Sequence, residues 1–271
     1  MIKSFVNPSN EDIENASNQE LLSYYAARAS VNPQLNVPSI PQDIGRIHPE
    51  TSDKYGADVA DMAISDLQGV LQNFFVGLLN AKRVLEVGSF TGSSAIYFAN
   101  ALKRNGVSPG PDANGNMPVV GLDISEAFAS VARSNFDRAG ISDYVKIIVG
   151  DARKNIARLE GQQFEVIFID ADKSSYKTYY DIILEKNLLS KGGLIIIDNT
   201  ALYQTVDYLG KPVDNAETEA IMKMPYGSIS QKQASRALHD FNEYIRNDPR
   251  TEVVMFPVFT GISFVRIVDN V

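Results

Sequence analysis

The chain has no cysteine, and only two histidines, His48 and His239, among its 271 residues. The first absence excludes a disulfide framework, a thiolate nucleophile and a zinc–thiolate site; the second leaves little room for a histidine-based centre. Basic residues are also in deficit. With 25 Lys and Arg against 33 Asp and Glu, the formal charge is -8 and the pI near 4.9, so the positive footprint of a nucleic-acid binder is missing and no such partner is expected. No apolar run approaches the roughly 18 residues that cross a bilayer. The segment from Met1 to Asp12 has no apolar core ahead of its acids. Membrane insertion and export are therefore not expected, and a cytoplasmic location is.

What is present fits one sizeable core. Residues 1–52 are polar, rich in Asn and Ser, and broken by Pro33, Pro38, Pro41 and Pro49, with one helix candidate from Asn18 to Ala29; they are read as an N-terminal arm or lid. Residues 53–271 are read as the globular domain. It opens on Lys54 to Asn80, where Val59, Met62, Leu67, Val70, Leu71, Phe74 and Leu78 recur at helical spacing, predicting one or two amphipathic helices interrupted near Gly69.

An alternation follows. Strands are predicted at 83–87, 119–123, 145–149, 164–169 and 194–198, with helices at 93–104, 126–139, 152–159 and 176–188 between them and another at 234–247. Strands alternating with helices require crossover connections, hence a parallel sheet covered on both faces. Thr251 to Phe256 and Ile262 to Val268 are separated only by Pro257 to Gly261, too little for a crossover, so the sheet finishes in an antiparallel hairpin. Leu202 to Gln233 reads as a long connection of little periodicity, the kind of loop that is often functional.

In open α/β sheets, ligands collect at the carboxyl ends of the strands. The first strand runs into Glu86-Val87-Gly88-Ser89-Phe90-Thr91-Gly92-Ser93-Ser94, where glycines admit close backbone approach and a serine opens a helix. The dinucleotide G-x-G-x-x-G pattern is absent, and the strand-ending Glu86 would repel a pyrophosphate. A cationic, phosphate-free cofactor suits it better. The second strand ends on Asp123, where an acid reaches ribose hydroxyls, and the third on Gly150-Asp151-Ala152, placed for an adenine edge. Taken together, these three ends point to S-adenosylmethionine; taken singly, Asp123 reads equally well as a helix cap ahead of Ser125.

The fourth and fifth strands each stop on an acid, in Ile169-Asp170-Ala171-Asp172-Lys173 and Ile197-Asp198-Asn199-Thr200. Asp170, Asp198 and Asn199 are hard oxygen donors, and with Lys173 one turn beyond Asp170 they meet the needs of a divalent cation and a proton transfer. The competing reading is that each acid caps the element that follows. Tyr176, Tyr179 and Tyr180 are read as packing residues on one helix face.

These segments, with Gly121-Leu122-Asp123 and the closing hairpin, resemble the metal-dependent class I O-methyltransferases of the caffeoyl-CoA and catechol O-methyltransferase family. The resemblance covers roughly Ile64 to Ile267. It implies a Rossmann-like, mostly parallel seven-stranded sheet with helices on both faces and a C-terminal antiparallel hairpin. By position it implies that Asp170, Asp198 and Asn199 hold Mg2+, or Mn2+ or Ca2+, and that Lys173 is the general base. It places Ile64, Glu86, Gly88, Ser89, Ser94, Asp123, Ala152 and Asp172 at the cofactor, and Tyr203 where plant members carry a substrate-binding Asn. The implied acceptor is a small hydroxylated aromatic with vicinal hydroxyls, and the implied assembly a homodimer. Two alternatives stand beside this one: a methyltransferase-like regulator that binds cofactor without turnover, and a methyltransferase acting on a non-catechol hydroxyl.

Overall fold

Short runs of β-branched and aromatic residues form the strands, and those at 84–87, 119–123 and 164–169 are covered on both faces. The computed structural model describes residues 43–201, 221–224 and 227–268, with a few isolated positions before them. After a 3-10 turn at Ile44–Arg46 come helices α1 (Ile47–Tyr55), α2 (Ala57–Ala60) and α3 (Asp66–Leu78). Then β1 (Val84–Val87), α4 (Ser93–Arg104), β2 (Val119–Asp123), α5 (Glu126–Ala139), β3 (Val145–Val149), α6 (Ala152–Ala157) and β4 (Phe164–Ile169) alternate. A second 3-10 turn, Lys173–Ser175, leads into α7 (Tyr176–Glu185) and β5 (Leu189–Ile197). The chain closes with β6 (Ile221–Met224), β7 (Gly227–Ser230), α8 (Gln231–Arg246), β8 (Thr251–Phe256) and β9 (Ile262–Ile267).

Seven strands make one sheet in the order β3-β2-β1-β4-β5-β9-β8. β1 pairs with β4, and β4 with β5, in parallel, whereas β9 runs antiparallel to both β5 and β8. This is the mixed, mostly parallel sheet with an antiparallel end that the alternation predicts. Val166, Ile167, Phe168 and Ile169 of β4 and Ile195, Ile196 and Ile197 of β5 are wholly buried; each such side chain contributes roughly 1.5–3 kcal/mol to folding. Glu165, the one acid within β4, accepts the backbone N–H of Arg83 at 2.9 Å.

By packing, the chain divides into two compact units: Met1–Lys82, Ser89–Gly121 and Glu126–Ile147 in the first, and Arg83–Gly88, Leu122–Ser125 and Ile148–Val271 in the second. In the first, α3 packs along α4. Asn73 Nδ2 donates to the Tyr97 carbonyl at 3.2 Å, and the Tyr97 hydroxyl to Asp66 at 2.9 Å.

Several expected boundaries move, each for a local reason. Gly69 does not interrupt a helix; it lies inside α3, where the Tyr97 ring occupies the space a Cβ would need. The break falls at Asp61–Ser65 instead, and Ser65 caps α3 by accepting the Gln68 N–H at 3.3 Å. Pro49 does not end the arm's last stretch, because it sits in the first turn of α1, where its missing N–H costs nothing. β5 begins at Leu189 rather than Leu194, with a register irregularity opposite Phe164 and Val166. The stretch read as a long connection before Gln233 contains the β6–β7 hairpin and the start of α8, which opens with a Ser230–Gln233 capping box. The helix candidate at 18–29 lies largely outside the described residues. Among the described residues no helix is long and apolar enough to cross a membrane.

In the second unit, α7, the turn after α8 and the final hairpin are joined by a part-buried polar knot. The Tyr180 hydroxyl donates to Asp248 Oδ2 at 2.9 Å and lies 2.7 Å from Thr251 Oγ1, while Arg250 Nε and Nη2 reach the same carboxylate at 2.9 and 2.6 Å. The Arg250 guanidinium holds Asp248 well below its ordinary 3.8, at about 2. A depressed carboxylate contributes stability above its unfolded value and loses it as the pH falls through its folded value. Melting temperature is therefore expected to drop more steeply between pH 3.8 and about 2 in the wild type than in Asp248→Asn. Parallel slopes in the two proteins would contradict this assignment.

Candidate active site

Backbone hydrogen bonds continue past the ends of the strands of the second unit and set their carboxyl termini side by side. Gly150 N–H donates to Asp123 O at 2.8 Å, Gly88 to Leu122 O at 2.9 Å, Asp170 to Val87 O at 2.8 Å and Asp198 to Ile169 O at 3.0 Å. The acids read from the sequence thus occupy one edge in sheet order. Gly88 has φ 99°, and a Cβ there would run into the Asp170 carbonyl, so only glycine lets these two strand ends approach. Glu86, just before it, is a carboxylate with no exposed surface.

Lys173 stands at the centre. Its Nζ lies 2.8 Å from Asp170 Oδ1, 2.7 Å from Asn199 Oδ1 and 2.7 Å from the Tyr176 hydroxyl oxygen. The Tyr176 hydroxyl donates in turn to the Asp198 carbonyl at 3.1 Å. The lysine and Asp170 side chains are only 14% and 17% exposed, so the pair is shielded from bulk water without being sealed from a ligand.

Asn199 is set by its surroundings. Its φ of 57° is left-handed, which asparagine tolerates better than most residues. Its backbone N–H donates to Asp198 Oδ1 at 2.8 Å and its Nδ2 to Thr260 Oγ1 at 2.9 Å, which turns Oδ1 toward Lys173. The turn before β9 braces this arrangement: Thr200 N–H donates to Gly261 O and Ala201 N–H to Thr260 O, both at 2.9 Å, and Asn242 Nδ2 of α8 holds the Thr200 carbonyl at 2.7 Å.

The remaining acids have local duties. Asp172 accepts the Tyr179 hydroxyl and the Ser174 hydroxyl; burial first, and then this carboxylate, push the Tyr179 phenol well above its ordinary range. Asp123, 8% exposed, accepts the Ser125 N–H at 2.8 Å in the turn ahead of α5. Asp151 caps α6 and is gripped by Arg153 Nε and Nη2, both at 2.9 Å. Ala152 opens α6, half-buried.

Ser89, Ser94 and Ile64 belong to the first unit. Ser89 and Ser94 are 1% and 5% exposed, and the Ser89 hydroxyl has no partner among the described residues; Ile64 is half-buried in the segment before α3. Tyr203 lies outside the described residues. Tyr176 and Tyr179 are buried packing residues as read, but the sequence reading missed their hydroxyls. The signal available was spacing: Tyr176 follows Lys173 by three residues, and Tyr179 follows Asp172 by seven.

These residues suit two groups. A buried Glu86 and a glycine that admits close backbone approach suit a cationic, phosphate-free cofactor better than a pyrophosphate. Asp170 Oδ1 and Asn199 Oδ1 already converge on one point, Lys173 Nζ, with Asp198 next in the chain to Asn199. Among the described residues no three His, Cys, Asp or Glu side chains form a metal cluster; the donors here are two carboxylates and an amide, the oxygen set a hard cation takes.

The family profile described as O-methyltransferase matches residues 43–268. The catechol O-methyltransferase of Mycobacterium tuberculosis is 34% identical over 143 residues, which are 53% of this chain and 59% of that protein. The caffeoyl-CoA O-methyltransferase of Populus kitakamiensis is 28% identical over 229 residues, covering 83% and 86%. The SAH-bound crystal structure of the Podospora anserina methyltransferase PaMTH1 superposes with a TM-score of 0.72 at 28% identity, covering 97% of this chain and 99% of that one. The chain belongs to the O-methyltransferase family, as an S-adenosylmethionine-dependent enzyme of its caffeoyl-CoA and catechol group.

Proposed function

We propose that the chain methylates one hydroxyl of a small, catechol-like acceptor in a reaction that depends on a divalent cation. The observation carrying this reading is the convergence of Asp170 Oδ1 and Asn199 Oδ1 on Lys173 Nζ at the ends of neighbouring strands. Asp170, Asp198 and Asn199 would hold Mg2+, or Mn2+ or Ca2+. Bound there, the cation would acidify and orient an acceptor hydroxyl, and S-adenosylmethionine would supply a methyl group on a positively charged sulfur.

The chain's own residues do the rest. Lys173, as the neutral amine, is the group placed to receive the acceptor's proton and become an ammonium between Asp170 and Asn199, and the Tyr176 hydroxyl, accepting from Nζ and donating to the Asp198 carbonyl, fixes where that amine sits. Thr260 keeps the Asn199 oxygen turned inward. The buried carboxylate of Glu86 complements a cationic donor. The family pattern assigns Gly88, Asp123, Ala152 and Asp172 to the same cofactor, and also Ile64, Ser89 and Ser94.

A vicinal pair of hydroxyls grips a cation through two oxygens where a single phenol offers one. Methylation of catechols is therefore expected to exceed that of matched monophenols by about 100-fold or more in kcat/KM, a preference comparable to the loss of a buried polar contact in a specific site. Equal rates on the two acceptor classes would replace the catechol reading with methylation of an isolated hydroxyl. Cofactor binding without methylation of either class would favour a regulator.

A further inference from the structure

The loop after β1 turns through three left-handed residues in five, with φ 99° at Gly88, 47° at Phe90 and 89° at Gly92. Phe90 carries a side chain in that region, a strained conformation that persists only where the surroundings impose it. One face of α5 imposes it. Phe128, Ala132, Asn135 and Phe136 recur there at helical spacing, all buried.

Each holds a different part of the loop. Phe128 meets the Phe90 ring edge-on, with centroids 4.7 Å apart. Phe136 and Ala132 close over Gly92, where a Cβ would overlap the Phe136 ring. Asn135 Nδ2 donates to the Thr91 carbonyl at 2.8 Å in a buried bond. Within the loop itself, Gly92 N–H donates to Ser89 O at 2.8 Å.

The Asn135 amide has a set orientation. Its Oδ1 accepts from Arg138 Nη2 at 2.5 Å, and a guanidinium only donates, so Nδ2 is the end presented to Thr91. Arg138 grips Glu50 of α1 with bonds of 2.7 and 2.6 Å, and Tyr55, the last residue of α1, stands edge-on to Phe128 at 5.2 Å. The loop is tied through α5 to α1.

We propose that Asn135 is a positioning residue for the cofactor. By holding the Thr91 carbonyl it keeps the backbone from Ser89 to Gly92, and the first turn of α4, in the one conformation that the methyl donor recognises. Arg138 acts behind it by fixing which way the amide points. The inference rests on reading this loop as part of the cofactor site.

Asn135→Asp keeps the shape and the Arg138 contact but sets an acceptor against the Thr91 carbonyl oxygen. Titration calorimetry with S-adenosylhomocysteine, well below the melting transition, is expected to show about tenfold weaker binding. The KM for S-adenosylmethionine should rise by a similar factor, with kcat at saturating donor within about twofold of wild type. Arg138→Gln, at a side chain 39% exposed, leaves the core untouched and decides the question if the first variant folds poorly; about threefold weaker binding is expected. A purely structural role would lower the melting temperature of the unliganded protein without changing the dissociation constant of the folded one. That result in the folded variants overturns the proposal. A wild-type chain that binds no S-adenosylhomocysteine overturns the cofactor reading, and the proposal with it.

Discussion

Lys173→Met is expected to slow methyl transfer in a single turnover by roughly 10²- to 10⁴-fold while leaving S-adenosylhomocysteine affinity within about twofold of wild type. The asymmetry follows from position. Lys173 Nζ makes its three described hydrogen bonds to Asp170, Asn199 and the Tyr176 hydroxyl, which the proposal sets on the acceptor side. Methionine keeps the length and much of the volume of the buried stem while removing the amine, so folding should survive. The Tyr176 hydroxyl then loses its donor but keeps the Asp198 carbonyl. A variant whose single-turnover rate stays within about threefold of wild type would remove Lys173 from proton transfer, because general-base contributions of that size are smaller than any positioned base supplies.

Much of this centre was legible in the chain because the two strand-ending acids carry a positional signal: an apolar run that stops on Asp170 or Asp198 puts a carboxylate at the edge where ligands collect. The alternation of strands and helices was legible for the same reason, since β2, β3, β4, α4 and α5 are short, strongly patterned and closed by local punctuation. What could not be read depends on partners far along the chain. Thr260, which turns Asn199, is 61 residues away, and Asn242, which holds Thr200, is 42. Periodicity also assigns a side chain to a face without saying what its far end does. Tyr176 and Tyr179 accordingly look like packing residues in the sequence, which does not show what their hydroxyls bind. Gly69 misled in the opposite sense. Its small size signals a break when taken locally, and only the Tyr97 ring against it shows that the helix continues. Asp151, read at an adenine edge, has a nearer partner in Arg153, two residues on, which gathers its carboxylate at the start of α6.

The second large effect concerns Asp198. It is 3% exposed, and its Oδ1 accepts the Asn199 N–H at 2.8 Å. Asp198→Asn can retain that acceptor through its amide oxygen, so the turn at Asn199 should hold, but one of the two negative charges of the proposed ligand set disappears. Stabilisation by a bound cation amounts to several kcal/mol of transition-state charge, so losing a charged ligand is expected to lower kcat/KM by about 100-fold or more. Mn2+ binding followed by electron paramagnetic resonance should weaken in parallel. S-adenosylhomocysteine binding, which does not require the acceptor oxygens, should remain within about twofold. A variant with wild-type Mn2+ affinity would take Asp198 out of the ligand set while leaving Asp170 and Asn199 to be tested.

The claim that joins these residues is that methyl transfer here runs on a divalent cation held by Asp170, Asp198 and Asn199. The most direct measurement is S-adenosylhomocysteine production from S-adenosylmethionine and a catechol, first with enzyme stripped by EDTA and then after Mg2+ or Mn2+ is returned in excess. Turnover that vanishes on stripping and recovers with the metal is the predicted result; full turnover in EDTA would contradict it.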